Sequence, residues 1–350
     1  MSNLAPIQTK SAKVVGPHKA IISAQLDART VLTQSPWEFV SLWLKRGKQP
    51  EALILWNQAR EFHEVARGLS LQSAPLLLYY SFMNAAKALL TAKGVPFDPH
   101  HGIKRLDVRG TVRAIKLSNE GVQIKAAGVL PALSKYLQET ETSVSHTLKE
   151  ILFNLPYVHR TYCLTYRSQR DMFVPLTDCR FVLDRKSGET FFSGNISSDF
   201  PLQGIQSRLP ATLKMLSSVD KRALRSVASV PLTSPLHLNL ADLKQLAMLN
   251  SQLRLDLHYI NATQTLWYAK LVVPGSKRIS RYPITLTLAA MHRLSEICRY
   301  RPLEMHSFMS SQENWLLSEF IQSAPEQFLD AIASELTGYQ FLLPNVRPPN

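Results

Sequence analysis

The chain is short of cysteine, acidic residues and long apolar runs, and each shortage removes a class of function. Its only cysteines, Cys163, Cys179 and Cys298, are too few and too scattered for a disulfide framework or for the paired spacing of a closed zinc site. That usage suits a reducing compartment. Residues 1–25 carry Lys10, Lys13 and Lys19 but not the continuous apolar segment of a secretory signal, and no later run approaches the roughly 20 apolar residues of a membrane span. A cytoplasmic protein without membrane contact is the expectation. No glycine-rich loop ends in Lys-Ser or Lys-Thr, and no Gly-x-Ser-x-Gly elbow occurs, which sets nucleotide hydrolysis and esterase chemistry aside. Acidic residues are too sparse to suggest a two-metal nuclease, because Asp171, Asp178 and Asp184 fall among arginines where ion pairing is the simpler account. Neither a metal nor a cofactor is expected.

What the chain has in excess is positive charge: 40 Lys and Arg against 26 Asp and Glu give a formal charge of +14. Such a balance attracts polyanions, and nucleic acid, RNA or DNA, is the leading partner class. The excess is spread over Lys104, Arg105, Arg109, Arg113 and Lys116, then Arg160, Arg167 and Arg170, then Lys214 to Arg225, then Lys277 to Arg281. Two readings fit this scatter, a solvated surface and a folded basic groove. The most suggestive stretch interleaves Arg160, Tyr162, Tyr166, Arg167, Arg170 and Phe173, since cations neutralise phosphates while rings stack on bases. Its alternative is an amphipathic passage from helix to strand. Lys104, Arg105 and Arg109 make a second candidate contact.

At 350 residues the chain suits two unequal parts. Residues 1–34 read as a basic arm with one short strand. Residues 35–100 form a helical core segment: Ser35-Pro36 is an N-cap with proline at the first helical position, Pro50 opens an amphipathic helix, and the apolar run from Leu76 to Leu90 is a buried central helix. Residues 101–282 read as a mixed α/β region with hairpins about Asn119-Glu120-Gly121, about Gly188 and about Asn261. Residues 283–343 read as three helices, broken at Pro302 and Pro325 and packing on the first helical segment, before an extended tail, 344–350. The order, helices, then strands, then helices, gives an α+β class with a β-hairpin-containing middle insertion.

The run Tyr79-Tyr80-Ser81-Phe82-Met83-Asn84-Ala85-Ala86-Lys87, then His101-Gly102, resembles the YaaC-like family of bacterial proteins, as does Arg299-Tyr300-Arg301-Pro302 ahead of Trp315. Tyr79, Tyr80, Asn84, Lys87, His101, Gly102, Tyr300 and Pro302 carry that likeness. A tyrosine-rich helix followed by His-Gly also resembles the HEPN superfamily of helical bundles. That second likeness implies a mainly helical HEPN-like bundle from both ends of the chain around the middle insertion, RNA cleavage or antiviral defence, frequent homodimers, and an Arg-to-His motif that activates a ribose hydroxyl without a metal. Arg301 and His306, with Arg299, have an acceptable spacing for it, but Pro302 between them starts a new helix, and the alternative is a helix-helix corner. Core packing is the plain alternative for Tyr79 and Tyr80, and a turn with glycine at positive φ for His101-Gly102. The expected function is a non-catalytic nucleic-acid-binding or accessory role, with a protein partner in a defence or stress assembly, against two alternatives: a metal-independent endoribonuclease and a protein-binding scaffold.

Overall fold

The computed structural model describes residues 4–110, 112, 115–216, 221–235 and 237–343; Arg113 and the expected tail, 344–350, lie outside the described residues. The helices are α1 (Pro36–Arg46), α2 (Pro50–Ala66), α3 (Ala74–Ala92), α4 (Val129–Tyr136), α5 (Leu148–Phe153), α6 (His159–Thr165), α7 (Leu240–Leu253), α8 (Pro283–Tyr300), α9 (Pro302–Met309) and α10 (Asn314–Thr337). The strands are β1 (Leu4–Pro6), β2 (Val31–Leu32), β3 (Ile103–Asp107), β4 (Glu120–Ile124), β5 (Ser145–Thr147), β6 (Phe173–Asp184), β7 (Glu189–Ile196), β8 (Leu213–Met215), β9 (Ala223–Ser226), β10 (Val230–Pro231), β11 (Leu257–Asn261), β12 (Thr265–Lys270) and β13 (Phe341–Leu342). They sort into two compact units, the first from residues 1–34, 171–275 and 338–350, the second from 35–170 and 276–337. No helix among the described residues is long and apolar enough to cross a membrane.

The first unit overturns the expected helical bundle with a middle insertion. Its frame is an eight-stranded antiparallel sheet in the order β11-β12-β6-β7-β9-β8, with β1 also on β6 and β10 also on β7. The segment expected as an arm supplies β1, and its β2 pairs in parallel with β13. Strands of two and three residues are too short to carry a readable period, so the sheet is larger than alternation suggests. The longer hairpins are where the sequence places them: Phe181, Val182 and Leu183 pair with Phe192, Phe191 and Thr190, and β11 pairs with β12 just beyond Asn261. Val174, Phe181, Phe192 and Leu224 from the sheet join Leu246, Leu249 and Leu253 of α7 in one apolar core. That helix begins with a capping box, Asn239 and Asp242 bonding each other's backbone N–H.

In the second unit, α3 is the buried centre expected of it. Its Ala85, Ala86 and Ala88 are buried, and Phe82 stacks on Phe328 of α10 at 4.2 Å. Ser35 accepts the Glu38 N–H and Pro36 opens α1, as the sequence indicates. Two expectations are corrected. The break expected at Pro325 falls instead at residues 310–313, where Ser311 accepts the Glu313 N–H, and Pro325 lies inside α10, while the break at Pro302 is in place. The Asn119-Glu120-Gly121 turn is the start of β4 instead: Asn119 closes the preceding turn by accepting the Lys116 N–H, and a Cβ at Gly121 would sit 2.3 Å from the His146 carbonyl of β5. Glu120, fully buried, is the ionic centre of this unit. Its carboxylate takes the buried Arg293 guanidinium, Arg301 at 3.2 Å, Arg109 at 3.3 Å and Arg105 at 3.5 Å.

Candidate nucleic-acid interface

The candidate surface is built on two short helices of the second unit. A capping box fixes α5: Thr147 accepts the Glu150 N–H, and the Glu150 carboxylate accepts the Thr147 N–H at 2.8 Å. That start places the Lys149 ammonium 4.3 Å from the centre of the Tyr166 ring. On α6 the apolar side is His159 and Tyr162, and Tyr162 stacks between Phe153 at 5.1 Å and Tyr166 at 4.8 Å. The opposite side presents Arg160 and, one turn on, Leu164, which is 48% exposed.

Beyond α6 the chain is held by side chains while its cations stay in solvent. The Tyr166 hydroxyl donates to Glu313 at 3.1 Å, Gln312 donates to the Thr165 carbonyl, and Gln169 donates to Ser276 at 2.8 Å. Burial, reinforced by the Glu313 carboxylate, pushes the Tyr166 phenol up, so the ring stays neutral. An open cleft of about 640 Å³ results, lined by Lys149, Leu164, Tyr166, Arg167, Gln312 and Trp315. Trp315, in the first turn of α10, is 55% exposed. Arg167, Arg160 and Arg170 are exposed, and none has an ion pair or hydrogen bond among the described residues.

The other basic candidates divide sharply. Lys104 is exposed and unpaired among the described residues, but Arg105 and Arg109 are spent on Asp107 and Glu120. Tyr162, 2% exposed, is core and offers no face to a base. Trp315 is an exposed ring that residue spacing did not single out, because only the packing of α10 leaves it uncovered.

The candidate catalytic residues are engaged with different partners. Arg301, at the junction of α8 and α9, pairs with Glu120 and Glu304, while His306 meets the Gln72 amide at 3.1 Å. Arg299 donates to the Tyr80 hydroxyl at 3.3 Å and lies over the Tyr300 ring. Pro302 opens α9, as its ring requires. Of the remaining family-like residues, Gly102 has φ +74° and a Cβ there would meet Pro131 at 2.4 Å. His101 Nδ1 accepts the Ile103 N–H at 3.0 Å, at the entry to β3. Tyr79 and Asn84, both buried, line a second, smaller cleft together with Tyr80, Lys87 and His101.

No curated protein and no solved structure matches the chain, and no comparison supports the HEPN-like likeness. A family model does match: that of the YaaC-like proteins, over residues 23–336. With nearly the whole length covered, from β2 through α10, the chain belongs to the YaaC-like family.

Proposed function

We propose that the chain binds single-stranded nucleic acid along the open cleft of the second unit, without cleaving it. The observation that carries this is Arg167 and the exposed ring of Trp315 lining one cleft, with Arg160 and Arg170 on the same stretch of chain, all three arginines exposed and without a partner among the described residues. Cations free of carboxylate partners exchange counterions for phosphates, and an uncovered indole accepts a base that is already unstacked. Arg301 supports the non-catalytic side of the proposal, since its guanidinium is neutralised by Glu120 and Glu304.

Three phosphate contacts predict that log Kobs for a single strand falls with log salt at a slope near −2, about 0.7 per contact. Fluorescence anisotropy of a labelled oligonucleotide across a salt series measures it. Replacing one arginine, as in Arg167→Ala, takes about 0.7 off the slope. Trp315→Ala leaves the slope unchanged and costs about 1–3 kcal/mol at every salt concentration. A slope near zero, or a Trp315→Ala protein of full affinity, contradicts the proposal.

A further inference from the structure

The smaller cleft of the second unit, about 380 Å³, lies between α2, α3 and the loop that carries His100 and His101. It is at the lower end of the size range of small-molecule sites, roughly 300–1,000 Å³, which favours a single compact ligand over a polymer. One wall is aromatic: Phe62 and Tyr80 have ring centres 5.6 Å apart, and Tyr80 is 36% exposed. A second wall is an amide pair. Asn84 Nδ2 donates to Gln58 Oε1 at 2.8 Å, so the Gln58 amino group and the Asn84 carbonyl keep a donor and an acceptor in reserve. That combination matches the edge of a nucleobase.

Lys87 supplies the charge. It lines the cleft one turn beyond Asn84 and has no partner among the described residues, unlike His100, whose ring is held by Asp98. His101 adds a neutral donor: with Nδ1 accepting the Ile103 N–H, the proton of the neutral ring sits on Nε2. Burial holds His101 below the ordinary histidine range, and the His292 ring, tilted against it with centres 4.4 Å apart, is likewise neutral at pH 7.

We propose that this cleft binds a nucleoside monophosphate group, free or at the end of a strand, with the base against Phe62 and Tyr80, its edge on Gln58 and Asn84, and the phosphate on Lys87. Calorimetric titration of the full chain with AMP, GMP, CMP and UMP, and with the matching nucleosides, tests it. At least one monophosphate binds saturably at one per chain, and Lys87→Ala weakens it about tenfold or more, the worth of a charge-assisted contact. Lys87→Arg keeps most of the affinity, the nucleoside is indifferent to Lys87→Ala, and Gln58→Leu weakens both ligands. Displacement by a 5′-phosphorylated oligonucleotide assigns a strand end, and its failure to displace assigns the free nucleotide. Arg167→Glu leaves the titration unchanged, so the two clefts fail or succeed separately. No saturable heat from any of the four, or binding indifferent to both Lys87→Ala and Gln58→Leu, overturns the proposal.

Discussion

Glu120→Ala is expected to lower the stability of the second unit by about 3–5 kcal/mol, the cost of removing one partner from a buried ion pair. The carboxylate is fully buried and Arg293 is 2% exposed, so the guanidinium cannot recover its hydration when its main partner is lost. Glu296 remains 2.8 Å from Arg293 and offsets part of the loss. Arg105, Arg109 and Arg301 are more accessible and retain Asp107 or Glu304, so they add less. In a unit of this size the change corresponds to a fall in melting temperature of about 10 °C. The double replacement Glu120→Leu with Arg293→Met removes both charges and should recover most of the loss. A Glu120→Ala protein that melts within a degree or two of the parent would show that Glu120 does not hold the arginines.

Acid is expected to unfold both units through neutral, buried histidines. Burial lowers His18 and His292 from 6.5 to about 3 and His146 to about 4, and it drives His258 well below 6.5. The first unit contains His18 and His258, the second His146 and His292. Below pH 6.5 the unfolded chain takes up protons that the folded chain refuses, so stability is full above 6.5 and falls as pH drops toward the folded values. Each ring contributes a slope of about 1.4 kcal/mol per pH unit in that window, or about 2–3 kcal/mol by pH 4.5 for His292. Calorimetric melting from pH 7.5 to 4.5 measures the slope. His292→Gln should flatten it by one proton in the second unit alone; an unchanged slope would mean that His292 is not the group being titrated.

The legible parts of the fold were those whose cause is local. Ser35-Pro36, Pro50 and Pro302 fix helix starts through a cap or a ring, and the β6-β7 register follows from two apolar runs across a short turn. What distant residues decide was not legible. Glu120 and Gly121 have the composition of a turn, yet Arg293, 173 positions away, holds the carboxylate in a strand, and the close approach of β5 demands the glycine. The same holds for the site. Arg167 and Arg109 are alike in sequence, and only the placement of Asp107, Glu120 and Glu304 separates the paired cation from the free one. The exposure of Trp315, in the first turn of α10, depends on neighbours that its place in the sequence does not reveal.

The claim that the open cleft is a nucleic-acid interface is tested most directly by retention of labelled single-stranded RNA and DNA in EDTA, comparing the parent chain with a protein carrying Arg160→Glu, Arg167→Glu and Arg170→Glu. Salt-sensitive retention by the parent, intact strands throughout, and loss of retention in the triple variant at unchanged melting temperature are the expected results. Equal retention by the two proteins, or strand cleavage that persists in EDTA, would contradict it.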